Sequence, residues 1–455
     1  MPVRLTTAKT APRSLIAISD FLSITFGITP CALLVILALA GCGSESPSDA
    51  GDAATLSAWA HAGRQAERET LAAQVARFNQ TNSDIRIDLT FIPEGAYNSQ
   101  VQAAALAGDL PDLLEFDGPF LYNYVWQNQL RPIRGLISPE TYDSLIPSMI
   151  EQGTYNGDFW SVGQFDSGLG LFADRSKLEA VGARIPTHPS EAWTVEEFEE
   201  ILAKLAERDP DGQVLDLKLN YRGEWYTYAF SPALVSAGGG LIARPEYGTA
   251  EGVLDGPESI GVMSRFQRWV EEAHFVDPNV DDNAFAGGRV ALSWVGHWEY
   301  DRYRETLGDN LVLLPLPDFG GGSRTGQGSW SWGVTRTCPH PEAAGAFLDF
   351  LLRDRQVLEM VAANGAVPAT RGAIEQSDHY AEGKPLNLYV AQLTGGFAVP
   401  RPRTPAYPVI TTVFQGTFND ILDGADPRRA LERAAREITR DIADNRGYPD
   451  VEAER

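Results

Sequence analysis

Residues Tyr155 to Phe172 read YNGDFWSVGQFDSGLGLF. Asn156-Gly157 is a pair suited to a tight hairpin turn, in which both central residues take positive φ. Two extended runs follow, Phe159-Trp160-Ser161-Val162 and Gly168-Leu169-Gly170-Leu171-Phe172. Between them lies a polar patch, Gln164-Phe165-Asp166-Ser167, with Gly163 and Gly168 on either side. Taken alone, the stretch reads as a hairpin between two core strands. Its surroundings change that reading, because helix and strand alternate up to it and the alternation starts again after it. The stretch then marks a passage between two domains, with Gln164 and Asp166 on the floor of a ligand cleft and the two glycines giving the backbone freedom.

Upstream, Thr55–Trp59 predicts a short strand. Leu71, Val75 and Phe78 recur at helical spacing within 64–79. Ile85, Ile87, Leu89 and Phe91 alternate with period two over 84–91. A helix over 97–107 ends at Gly108, and Asp112–Phe116 follows as a strand. This β-α-β order implies a mainly parallel sheet with right-handed crossovers. In such sheets ligands bind beyond the carboxyl ends of the strands. Those ends carry His61 with Arg64 and Glu67, then Glu115, Phe116 and Asp117.

Downstream, the pattern predicts helices at 174–181 and at 194–209, the latter opened by a Thr194/Glu197 capping box. A strand at 214–219 precedes an aromatic-rich segment, 221–237, containing Trp225, Tyr226, Tyr228 and Phe230. After a helix at 257–273, a strand at 289–294 delivers Gly296-His297-Trp298 to its end, and 311–314 is a further strand. The glycine-rich loop 320–328 lacks the Gly-Lys-Ser/Thr of a phosphate loop. Ser329-Trp330-Ser331-Trp332 comes next, then one long helix over 341–364, an extended link at 366–371, and two C-terminal helices, the second capped by Asp426-Pro427.

A chain of 455 residues is too long for one core, and two domains are expected. The formal net charge of −24 argues against nucleic acid or an anionic membrane surface as the main partner, since both need clustered Lys/Arg. Residues 1–41 have a basic start and a short apolar core ending in Leu39-Ala40-Gly41-Cys42, followed by a polar tether over 42–54. This is the layout of an export signal whose cysteine becomes a lipidated N-terminus. Only Cys338 lies in the body, so no disulfide is expected there.

The ordered set Leu39–Cys42, Asn82–Asp88, Leu110–Leu114, Gly157–Ser161, Ala173–Lys177, Phe285–Ala291, Gly296–Trp298, Leu314–Pro317 and Pro341–Ala344 resembles the extracellular solute-binding proteins of bacterial ABC transporters, of the maltose-binding type. The resemblance covers essentially the whole mature chain. It implies an α/β, two-lobed periplasmic-binding-protein (Venus-flytrap) fold with three hinge crossings, near 163–164, 330–335 and 367–373. Lobe 1 would be 55–163 plus 334–372, and lobe 2 would be 164–333 plus 373–455. By position Trp298 matches a stacking residue of the family. Tyr228 and Phe116 match further contacts, Asp166 or Gln164 a carboxylate at the first crossing, and Tyr407 a C-terminal aromatic. The acidic-basic pair of the maltose binder is missing around Asp117-Gly118-Pro119-Phe120.

A sugar offers an apolar C–H face and a rim of hydroxyls, so it suits aromatic platforms edged by a few polar groups. Trp225 with Tyr228, His297 with Trp298, and Trp330 with Trp332 supply such clusters at predicted strand ends. The resulting expectation is a monomeric, non-catalytic sugar receptor. It would have no cofactor and no metal, would be held at the membrane through Cys42, and would deliver solute to ABC permease subunits. Two alternatives stand beside it. A secreted carbohydrate-active enzyme would need two carboxylates at a fixed gap, for which Glu115, Asp117 and Asp166 are available. The same fold could also bind a polyamine or peptide, although a polyamine site would want several carboxylates, whereas neutral aromatics dominate here.

Overall fold

The computed structural model describes residues 53–377, 379–380 and 384–449. The expected export leader, Cys42 and all but the end of the tether lie outside the described residues.

Two sheets organise the chain. The first is six-stranded, in the order Ile85–Ile92, Ala54–His61, Leu113–Asp117, Trp330–Thr335, Leu130–Arg131, with Ser161–Val162 also paired to Trp330–Thr335. The second is four-stranded, in the order Leu215–Asp216, Leu292–Gly296, Leu169–Asp174, Leu311–Leu314. Each sheet has its own apolar core. Leu56, Phe78, Trp332, Phe347 and Val357 belong to one, and Phe172, Phe198, Phe230, Trp269 and Trp294 to the other.

The expectation of mainly parallel sheets needs correction. Ala54–His61 does run parallel to both Ile85–Ile92 and Leu113–Asp117, as the β-α-β pattern requires. However, Trp330–Thr335 is antiparallel to Leu113–Asp117, and Leu169–Asp174 is antiparallel to both of its neighbours. These two strands enter their sheets from a crossing rather than from a helical crossover, so the handed parallel connection does not apply to them.

The opening stretch forms as read, up to the crossing. Thr154–Tyr155 pairs with Asp158–Phe159 across Asn156 and Gly157, whose φ values of 49° and 84° are those of a tight hairpin turn. The crossings lie side by side. Phe165–Asp166 pairs antiparallel with Val367–Pro368, and the Ser167 hydroxyl donates to the Gly328 carbonyl at 2.8 Å. Thr325–Gln327 pairs with Ala398–Pro400, whereas Trp330 already pairs with Asp117. The chain therefore changes sheets at Gly328–Ser329, slightly before the expected place, and Gly328 takes a φ of +109° that favours glycine. Gly163 has a different reason for being glycine from the one expected: a Cβ there would sit 2.4 Å from the Trp330 carbonyl oxygen. Close approach of two crossings, rather than backbone freedom, excludes a side chain.

The single helix expected over 341–364 is two, Pro341–Leu351 and Asp354–Asn364. Neither proline nor glycine causes the break. Asp354 is instead held by Thr370 Oγ1 at 2.8 Å and Gln376 Nε2 at 3.1 Å, so tertiary anchoring of the second helix overrides local propensity. The strand expected at 214–219 shortens to Leu215–Asp216, and the aromatic segment after it is the helix Glu224–Ser236. The caps at Thr194 and Asp426 accept from the Glu197 and Arg429 amides.

Candidate functional site

The carboxyl ends of strands from both sheets meet at one surface. From the first sheet, Ala54–His61 ends at His61 and Leu113–Asp117 ends at Asp117. From the second, Leu292–Gly296 runs into His297, Trp298 and Glu299. The helix Glu224–Ser236 brings Glu224, Trp225 and Tyr228 to the same place.

His61 lies flat on Trp330, with ring centroids 3.8 Å apart and planes 5° from parallel, while Tyr97 meets Trp330 edge-on. Its Nδ1 is 2.8 Å from Glu115 Oε2, and its Nε2 is 3.8 Å from Glu67. Burial works against the imidazolium, but the Glu115 and Glu67 carboxylates outweigh it and raise the His61 pKa well above its ordinary value. The Glu67 carboxyl is correspondingly held low: burial raises it, and His61 and Asn364 more than reverse this. A void of about 10 Å³ beside this group is bordered by His61, Glu67, Glu115, Gln164, Trp330 and Trp332, room for about one water.

Asp117 is the centre of a second cluster. Arg401 grips it bidentately, Nη1 and Nη2 each donating at 2.6 Å, and Nη1 also donates to Glu224 at 2.8 Å. The guanidinium carbon sits 4.9 Å over the Tyr228 ring. Glu224 further accepts from the hydroxyls of Tyr407 and Thr411. Asp117 thus takes its basic partner from across the fold, from a proline-rich segment.

The remaining expected residues divide into two groups. Trp298 is half-buried, edge-on to Trp225 and to His297, and tilted against Tyr228. Trp225 donates its Nε1–H to the Leu217 carbonyl, and Tyr228 shares a hydrogen bond with Ser167 at 2.9 Å. His297 is buried, with Nδ1 2.6 Å from the Asn364 carbonyl; burial pushes its pKa down to about 4. These side chains and the His61–Trp330 pair all stand at strand ends or on the helix beside them.

Others are packed into the interior; for Phe116, Asp166 and Tyr407 this corrects the expectation that they face a solute, whereas Gln164 and Trp332 still border the small void beside His61. Phe116 is fully buried against Tyr124, because strand alternation sends it to the face opposite Glu115 and Asp117. Gln164 donates to Gln74 and to the Leu351 carbonyl, bracing the hinge. Asp166 is fully buried and accepts from the Ser167 amide and Gln152, with its pKa raised by burial. Trp332 packs edge-on against Phe347 in the first core. Tyr407 is buried on Phe120 and reaches the cluster only through its hydroxyl.

Arg401, Glu224, Tyr221 and Glu299 join these clusters in the structure but are not among the residues the sequence points to. Glu224 precedes the aromatic run directly, and Glu299 directly follows Trp298, which was the available signal. Nothing local marks Arg401.

The family model of the bacterial extracellular solute-binding proteins matches residues 73–385, more than half of the chain. The chain belongs to this family. A lipoprotein of Streptomyces antibioticus, encoded in the oleD 5′ region and uncharacterized, is 25% identical over 362 residues, covering 76% of this chain and 77% of the relative. Among solved structures, a solute-binding protein of Thermotoga lettingae bound to α-D-tagatose aligns with a TM-score of 0.73 at 20% identity, covering 85% of this chain and 99% of that one. The GacH receptor of Streptomyces glaucescens, solved free and with acarbose, aligns with a TM-score of 0.72 at 19% identity, covering 86% and 99%. These likenesses establish the two-lobed α/β binding-protein fold.

Proposed function

We propose that this extracellular solute-binding protein receives a neutral mono- or oligosaccharide between its lobes and hands it to the permease of an ABC importer. Lobe 1 would take 55–163 and the return from 330 to 372, and lobe 2 the rest. The observation that carries the reading is the meeting of strand ends from both sheets around half-buried Trp298 and Trp330, with hydrogen-bonding side chains at their edges. The structural relatives solved with tagatose and with acarbose support it.

The charges support a neutral solute. Asp117 and Glu224 both pair with Arg401, Glu115 and Glu67 both pair with His61, and Glu299 pairs with Arg64 and Arg302, so each carboxylate is already engaged by a cation of the protein. Carboxylates so engaged are poor partners for a polyamine. They are equally poor as the paired acid and nucleophile of a glycosidase, which supports a non-catalytic role.

Thermal unfolding against a panel of neutral saccharides tests this. Binding to the folded state raises the midpoint in proportion to RT ln(1 + [L]/Kd). A shift with a saccharide recovered intact is the expected result. A shift with polyamines alone, or product formation at turnover rates, overturns it. In calorimetry, Trp298→Ala is expected to weaken saccharide binding about tenfold, roughly the weight of one aromatic face; unchanged affinity removes Trp298 from the site.

We further propose that the protein is anchored by lipid on Cys42. Among the described residues no helix is long and apolar enough to cross a membrane. Cys42→Ser is expected to move the protein from the membrane fraction to the soluble one, and continued membrane partitioning would assign the anchor to the apolar leader instead.

A further inference from the structure

The two lobes are tied by ionic contacts made entirely by the protein; besides the exposed Arg403–Glu151 pair at 3.3 Å, two ties stand out and differ in kind. The Arg401–Asp117 tie lies deep, with side chains 4% and 11% exposed. Asp117 has no second cation there among the described ion pairs. The other tie is at Arg64, just past the first-sheet strand Ala54–His61, with its side chain 38% exposed. Its guanidinium pairs with Glu299, just past the second-sheet strand Leu292–Gly296. It also donates to the Tyr221 hydroxyl at 2.9 Å and lies 3.6 Å from Asp282. Tyr221 in turn donates to Glu299 at 2.9 Å.

What happens when Arg64 leaves distinguishes this tie. Glu299 keeps Arg302 at 3.3 Å, and Asp282 keeps Arg302 at 3.2 Å and Lys218 at 2.9 Å. All of these groups lie on the second-sheet side, so separation strands no buried charge there. Arg64, already partly in water, is rehydrated. A contact that forms with good geometry and breaks without an orphaned charge suits reversible closure, unlike the deep tie, whose rupture leaves a carboxylate uncompensated.

We propose that Arg64 is an inter-lobe latch: it draws the lobes together through Glu299 and Tyr221 in the solute-free protein and sets the fraction of molecules already closed. The latch follows from the two-lobed fold and does not depend on which solute is bound. A two-state opening equilibrium is biased by any group that contacts the partner lobe only when closed, and here that group is part of the chain.

The test uses full-length protein in detergent, without solute, with Cys31→Ser, Cys42→Ser and Cys338→Ser so that labels go only to Leu106→Cys and Val280→Cys, both strongly exposed apolar positions. Spin-label distances from pulsed electron resonance report the closed and open populations. Arg64→Ala is expected to lower the closed-to-open ratio about three- to tenfold, with Arg64→Lys in between. Raising salt from about 0.1 M to about 1 M contracts the screening length from about 10 Å to about 3 Å and should open the wild type more than Arg64→Ala, in which only the Arg403–Glu151 and Arg401–Asp117 pairs remain to be screened. Identical distance distributions for wild type and Arg64→Ala at both salts overturn the latch. Because no saccharide is present, that outcome leaves the solute assignment untouched. Circular dichroism of Arg64→Ala confirms that a change reflects opening rather than unfolding.

Discussion

Arg401→Met is expected to destabilise the protein by about 3–5 kcal/mol, because it removes the one cation from a buried cluster of two carboxylates. Arg401 is 6% exposed, and methionine can fill much of its volume over Tyr228, so the loss is electrostatic rather than a cavity. Burial already pushes the Glu224 carboxyl up, and Arg401 is the main group holding it back. Without Arg401, the Glu224 carboxyl should titrate still further above its unfolded value. A carboxyl whose folded pKa is raised costs stability once it ionises, so the penalty should be largest near neutral pH and shrink as pH falls toward the ordinary carboxylate range. Denaturant unfolding of wild type and variant at two pH values checks both sign and size. Adding Asp117→Asn should recover part of the loss, since the two substitutions act on one interaction. A loss below about 1 kcal/mol, or one independent of pH, would show that the cluster is hydrated rather than buried.

Most of the fold was legible because its signals are local. The Asn156-Gly157 turn, the Thr194 and Asp426 caps and the period-two run at Ile85–Phe91 each depend on residues within a few positions of one another. The restart of alternation after Phe172 was enough to place the crossing. Strand direction was not legible to the same degree, since Trp330–Thr335 and Leu169–Asp174 take their direction from where the chain re-enters a sheet, a property of the whole path.

The site was half legible for a related reason. Strand ends follow from the alternation, so the sequence alone places His61, Glu115, Asp117 and Trp298 at the candidate site, with Trp330 beside them. Period-two alternation also could have removed Phe116, since one face of Leu113–Asp117 cannot present Glu115, Phe116 and Asp117 together. Gln164 and Asp166 show a different limit. A polar residue at a crossing can face the cleft or hold the crossing strands in place, and its hydrogen-bond partners decide which. Those partners are Gln74 and Leu351 for Gln164, and Gln152 for Asp166. Arg401 lies 284 residues from Asp117, and no pattern in the sequence joins them.

The second large effect is expected in acid. His297 is buried with Nδ1 at 2.6 Å from the Asn364 carbonyl, so Nδ1 carries the proton that is donated and Nε2 holds a lone pair. Nε2 has no hydrogen-bond partner among the described residues, so protonating it would place a charged, unpaired N–H in the interior. That cost, eased only in part by the Asn364 bond and by Glu67, brings the pKa down from 6.5 to about 4. The sign follows directly. Between these two values the unfolded chain binds a proton that the folded chain refuses, so stability falls as pH drops from 6.5 toward 4 and levels off below. The difference amounts to about 3 kcal/mol. Glu67, held low by His61, also loses its contribution as pH falls, so the two must be separated. His297→Gln removes the titration and can keep a donor toward Asn364. The variant should be slightly less stable than wild type at pH 7 but should lose less on acidification, so that the two stability curves converge or cross between about pH 5 and pH 4. Parallel curves over that interval would mean that a water already satisfies Nε2 and that His297 titrates near its ordinary value.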